Sequence, residues 1–205
     1  MTAPRSAPTR LASPASRHFG MPTPAARGEL PETWLADLSC LPRLLLRGPG
    51  GAEWLHARGL AAPAVPGTVT ERAGGGFTAC AGDDEWLVVG GRDETVFQHP
   101  GGDEPPVFTR SDFDLVLGGR AAAAILAEFC EIPAPTDPLR FTFTRMAGVN
   151  VWLRAMRGPD GPAWRVGGDP GYGEYLSATL RARVEAAHGG TAGLDDLFPN
   201  PGEVP

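Results

Sequence analysis

No lysine occurs anywhere in the 205 residues; all 18 basic side chains are arginines. That excludes Schiff-base chemistry on a lysine amine, and a Walker-type loop whose lysine reaches the terminal phosphates. Long apolar runs are missing as well. No stretch approaches the ~18 residues that span a bilayer, and the first residues hold no apolar core of a secretory signal. Cysteine is scarce: Cys40, Cys80 and Cys130 lie far apart with no C-x-x-C spacing, which indicates neither a zinc knuckle nor a thioredoxin-like site. A reduced, cytoplasmic compartment is the simplest expectation. An excess of positive charge is also lacking, since 24 acids against 18 arginines leave a net charge of −6. Such a surface is not built to follow nucleic-acid phosphates or anionic lipid.

What is present is enough apolar material for a core, 42% of residues, within the length of one ordinary domain. Residues 1–33 are rich in Pro, Ala, Ser, Thr and Arg, a composition that buries little and is expected to be disordered; Met21 offers an alternative start. Residues 34–190 are expected to fold. Residues 191–205 read as an acidic, proline-containing tail, in which Leu194, Leu197 and Phe198 are able to dock on a surface. Within the folded part, strands are expected at 41–48, 113–119, 141–146, 149–156 and 162–168, and two more within 76–91 around a Gly82-Asp83-Asp84 turn. Helices are expected at 51–60, 120–130 and 173–188, the last with Leu176, Leu180, Val184 and Ala187 on one face.

A repeat organises these elements. "LLLRGPGGAEWLHARG" at 44–59 matches "LVLGGRAAAAILAEFC" at 115–130 with a constant offset of 71: Leu44 with Leu115, Leu46 with Leu117, Gly48 with Gly119, Leu55 with Leu126. Each copy reads as a strand, a glycine corner and an amphipathic helix. Ile125, Phe129, Leu126, Cys130 and Ala123 share one arc in the second copy, and Trp54, Leu55 and Ala52 in the first. The fold class expected is α+β, two related β-α-β-β units with pseudo-twofold symmetry. The first corner is not a dinucleotide loop. Gly48 and Gly50 are followed by Glu53 where G-x-G-x-x-G needs glycine, and an acid there repels a pyrophosphate.

Candidate chemistry is thin. His18, His56, His99 and His188 are isolated in sequence. His99 with Asp103 and Glu104 is the nearest thing to a metal set, but a Pro/Gly loop does not hold three ligands rigidly. Asp83, Asp84 and Glu85 are consecutive acids on a turn and are expected to face water. Ser39 and Ser111 have no histidine close in sequence, and no G-x-S-x-G or H-E-x-x-H occurs. Asp112 and Asp114 flank Phe113 at the mouth of a strand, placed to share a cleft or simply to end a turn. No catalytic, cofactor-binding or metal residue is assigned.

Several stretches together resemble the gamma subunit of heterotetrameric sarcosine oxidase. They are "DLSCLPRLLLRGPGGAEWLHARGL" (37–60), "DDEWLVVG" (83–90), "SDFDLVLGGRAAAAILAEFC" (111–130), "RFTFTRMAGVNVWLRA" (140–155), "WRVGG" and "GEYLSATLRARV". The likeness runs over about residues 35–188 and extends to the folate-binding domain of aminomethyltransferase T-proteins. It implies a complex that oxidises sarcosine to glycine, forms hydrogen peroxide and passes the methyl carbon to tetrahydrofolate. FAD, FMN, NAD and tetrahydrofolate then belong to the complex, with alpha and beta as partners and delta as a further one. The resemblance implies no cofactor and no catalytic residue on this chain. The alternative is a stand-alone folate-binding C1-transfer or assembly protein of the same fold.

Overall fold

The computed structural model describes residues 29–92 and 105–199. The chain enters through strand β1 (Thr33–Asp37) and turns into β2 (Arg43–Arg47). Helix α1 (Gly51–His56), β3 (Val69–Glu71), β4 (Phe77–Gly82) and β5 (Glu85–Val89) complete a first unit. A second lead-in strand, β6 (Val107–Arg110), runs into β7 (Phe113–Gly119), helix α2 (Ala122–Phe129), β8 (Thr142–Met146), β9 (Val149–Gly158) and β10 (Gly161–Gly168). Helix α3 (Gly173–Ala186), β11 (Gly190–Ala192) and the short α4 (Leu194–Leu197) follow.

The strands form two sheets, ordered β11-β1-β7-β10-β9-β8 and β3-β4-β5-β2-β6. Among the described strands all pairings are antiparallel except β1 with β11. Each sheet holds a strand, a helix and a three-strand meander whose last strand returns beside the first: β4-β5-β2 in one, β9-β10-β7 in the other. The units therefore carry three strands after the helix rather than the expected two. Their lead-in strands are crossed. β1 leads into β2 but pairs with β7, and β6 leads into β7 but pairs with β2.

The glycine corners have a backbone cause. Gly48 and Gly119 sit at φ +96° and +87°, the left-handed region that a side chain disfavours. After each corner the helix lays its apolar face on its own sheet. Trp54 and Leu55 meet Leu44, Leu46, Trp86 and Val88, while Glu53 and His56 stay exposed. Ile125 and Leu126 of α2 join Leu176, Leu180 and Val184 of α3 over Leu115, Leu117, Leu153 and Val166. Ala123, expected on that buried arc, is exposed, and Ala122 takes the place instead. A further cluster joins the two sheets: Phe77, Ala79, Leu87 and Val89 pack with Phe141 and Trp152.

The strand β1 begins at Thr33, and Trp34, Leu35 and Ala36, at the start of the expected folded part, are fully buried between β11 and β7 of the six-stranded sheet. At the other end, part of the expected tail is folded. β11 pairs with β1, and Ala192, Leu194 and Leu197 pack against Trp34, Leu38 and Leu41. Burying apolar side chains on a partner surface gives this short segment the stability its own length does not.

Candidate functional site

At the junction of the two units a fully buried carboxylate, Asp114, lies between two buried guanidiniums. Arg43 at the start of β2 gives it one bond, Nη2 to Oδ2 at 2.7 Å. Arg165 of β10 grips it with two, Nε to Oδ1 at 2.8 Å and Nη2 to Oδ2 at 2.6 Å. Most of the remaining donors are used as well, although the buried Arg43 Nε has no partner among the described residues. Arg43 reaches the carbonyls of Leu38 and Leu41, both at 2.8 Å, and Arg165 Nη1 reaches the Gly75 carbonyl at 2.6 Å. The Asp114 amide donates to Ser39 Oγ at 3.0 Å. Burial alone would raise the Asp114 carboxyl, but the charges of Arg165 and Arg43 outweigh it and hold the group below the usual carboxylate range. An anion so held, with no access to solvent, is a structural counter-ion and not a general base.

Next to this triad, β9 carries a third buried guanidinium, Arg154, directly opposite Arg165 in the β9–β10 register. Its Nη2 pairs with Glu71 and donates to the Pro138 carbonyl at 3.1 Å, and its Nε donates to the Ala155 carbonyl at 3.2 Å. Burial pushes this arginine down, with Glu71 opposing the shift. Arg154 and Arg165 both lie over the ring of Phe77, at 4.8 and 5.1 Å from its centroid. A small cavity of about 180 Å³ opens here, between Arg72, Arg154, Arg157, Arg165, the Gly74–Gly76 turn and Phe198.

Asp112 does not share a cleft with Asp114. It borders a separate, wider cleft of about 690 Å³ with Arg110, Phe143, Arg145 and Trp152. Burial raises its carboxyl, opposed by Arg110, whose Nη2 stands 2.8 Å from Oδ1. The other sequence candidates stay apart. Asp83 and Asp84 are exposed on the β4–β5 turn, and Glu85 pairs with Arg47 at 2.9 Å. His56, His188 and Ser111 are exposed. His18, His99, Asp103 and Glu104 lie outside the described residues. Among the described residues no group of three or more His, Cys, Asp or Glu is placed to hold a metal ion. Cys40, Cys80 and Cys130 are free thiols, each pushed up by burial and so weakened as thiolate nucleophiles. No described helix is long and apolar enough to cross a membrane.

The arginine cluster was not read from sequence, although a signal was there. Arg154 in "VWLRAM" and Arg165 in "AWRVGG" are single charges inside apolar strands, and a charge in that position must be paired to be buried.

No protein-family model matches the chain, and no curated protein matches it. Solved structures do. A chain of the heterotetrameric sarcosine oxidase from Corynebacterium sp. U-96, in complex with pyrrole 2-carboxylate, aligns with a TM-score of 0.59 at 28% identity. The alignment covers 72% of this chain and 81% of that one. The glycine cleavage system aminomethyltransferase T from Bartonella henselae aligns with a TM-score of 0.58 at 16% identity, over 79% of this chain and 48% of the other. The fold is therefore aminomethyltransferase-like.

Proposed function

We propose that this chain is a non-catalytic, gamma-type subunit of a flavin-dependent complex of the heterotetrameric sarcosine oxidase kind. The observation that carries the reading is the likeness to a sarcosine oxidase chain over most of both lengths. Its size adds to this: 72% of 205 residues makes up 81% of the matched chain, which is therefore about 180 residues long, a small subunit. The fold supplies a two-sheet body whose junction is a structural ion triad; of the groups beside it, Ser39 Oγ accepts the Asp114 amide and the Cys40 thiol is pushed up by burial.

In this reading FAD, FMN, NAD and tetrahydrofolate belong to the partner subunits, alpha and beta with delta as a further one, in the cytoplasm. The complex, not this chain, turns sarcosine to glycine with hydrogen peroxide and methylene-tetrahydrofolate. The shared order of strands in the two sheets supports the further proposal of a pseudo-twofold relation between the units.

The test is co-expression with the alpha and beta flavoprotein subunits of a complex of this kind. The expected result is stoichiometric copurification, with peroxide formed from sarcosine by the complex and a colourless isolated chain. A yellow isolated chain, sarcosine oxidation by it alone, or failure to copurify would overturn the reading. Tight tetrahydrofolate binding by the chain alone would point to the free-standing C1-transfer alternative.

A further inference from the structure

We propose that the cavity between β9, β10 and the Gly74–Gly76 turn is a binding site for one small oxyanion, a phosphate or carboxylate group. Four guanidiniums line it, from Arg72, Arg154, Arg157 and Arg165, and its one acidic wall residue is Glu71. That concentration of positive charge arises in a chain whose net charge is −6.

The local charge is not balanced from within. The buried carboxylate of Asp114 is shared between Arg43 and Arg165. Glu71, half exposed, serves Arg154. Among the described residues three buried arginines thus face two carboxylates before the exposed Arg157 is added. Arg154 and Arg165 are also cross-strand neighbours, an arrangement of like charges that destabilises a sheet unless an anion compensates.

Donors remain for such an anion. Arg154 commits its Nε and Nη2, and its Nη1 makes no hydrogen bond to a described residue. Arg157 is exposed and makes no hydrogen bond or ion pair with a described residue. Guanidinium forks match the paired oxygens of phosphate and carboxylate, which an ammonium or a lone amide does not. At about 180 Å³ the cavity has room for roughly six waters at ~30 Å³ each, enough for an oxyanion and too little for a nucleotide.

A strap forms one side of the cavity. The ring of Phe198 lies against Gly75, and the segment is clasped by Arg92, which pairs with Asp195 and donates from Nη1 to the Phe198 carbonyl at 3.2 Å. The site is thus formed by both units and the last helix together.

The test titrates the full chain with inorganic phosphate and separately with acetate, against chloride at equal ionic strength, by calorimetry and thermal melting. Saturable binding and a rising Tm are expected with at least one of the two oxyanions. The tighter of the two identifies the headgroup. Arg157→Gln, at an exposed and unpaired position, should leave the unliganded Tm unchanged and weaken binding tenfold or more, with Arg157→Lys between. The proposal fails if neither oxyanion acts beyond chloride, or if Arg157→Gln binds as wild type does. The outcome is independent of copurification with flavoprotein subunits, so the two readings stand or fall separately.

Discussion

Arg43 and Asp114 are separated by 71 residues, the offset of the sequence repeat, and they form a buried ion pair at 2.7 Å. Each stands one residue before a matched leucine, Leu44 in one copy and Leu115 in the other. One position of the repeat thus carries opposite charges in its two copies, and the copies meet there. The lead-in strands cross at the same junction, so the ion pair and the strand exchange tie the units together at one place.

Asp114→Asn should destabilise the protein by roughly 3–5 kcal/mol, since it leaves two buried guanidiniums without their shared anion. Urea denaturation measures this directly. Exchanging the charges, Arg43→Asp with Asp114→Arg, should not restore stability, because Arg165 would then face a second arginine instead of its carboxylate. Recovery to near wild type in the exchange variant would show that Arg165 contributes little to the triad.

The same triad sets an acid limb. The folded Asp114 carboxyl lies below its unfolded value, so in that window the unfolded chain binds more protons. Its stabilisation is complete above the unfolded value of about 3.9 and is lost as pH falls through the folded one. Asp112 acts in the opposite sense. Its folded carboxyl is raised, so stability falls as pH rises from the unfolded value through the folded one. Denaturation followed across the acid range should show a shallower loss on acidification for Asp114→Asn. Asp112→Asn should show the reverse, a gain that grows as pH rises from the unfolded carboxylate value and is complete above the folded one. Parallel curves for wild type and Asp114→Asn would remove the triad from the account of acid stability.

How much of this was legible is decided by how each side chain is used. The repeat, its glycine corners and the helices were readable because the periods of α1, α2 and α3 have one buried and one wet face. β1 was not, because Thr33–Asp37 is buried on both sides and leaves no alternation to detect. β3 and β11 are three residues each and are held by neighbours rather than by pattern. The arginine cluster depends on β9 lying beside β10 in a register that places Arg154 opposite Arg165, which is a tertiary fact. Asp112 and Asp114 stand as a pair in the sequence, but the turn into β7 gives one to a cleft and the other to the core.

The corner glycines are not equivalent. A β-carbon on Gly48 would meet nothing nearer than Pro106 at 3.9 Å, so the cost of Gly48→Ala is the left-handed backbone alone, about 1–3 kcal/mol. On Gly119 it would fall 2.2 Å from the Glu32 carbonyl oxygen, which is main chain and cannot swing away. Gly119→Ala should therefore cost about 1–3 kcal/mol more than Gly48→Ala, the usual penalty of overpacking. Equal melting temperatures for the two variants would contradict the close passage of β7 beside residue 32.

The crossed lead-in strands make a stronger demand on folding. Cutting the chain between Arg92 and Pro105 leaves β1 on the first piece and its neighbours β7 and β11 on the second. The second piece then lacks a central strand, with the wall that Trp34, Leu35 and Ala36 complete left open to water. The first piece lacks β6 and exposes the edge of β2, while its own β1 has no sheet to join. Unpaired edges of this kind favour aggregation over folding. Neither piece alone should melt cooperatively, and the two expressed together should form a one-to-one assembly with wild-type circular dichroism. Charge at the junction sharpens the test, because the Arg43–Asp114 pair then links two chains. Asp114→Asn in the second piece should weaken reassembly by more than tenfold, as the loss of a buried ion pair requires. A cooperatively folded piece on its own would mean that the units are autonomous and that the crossing is incidental.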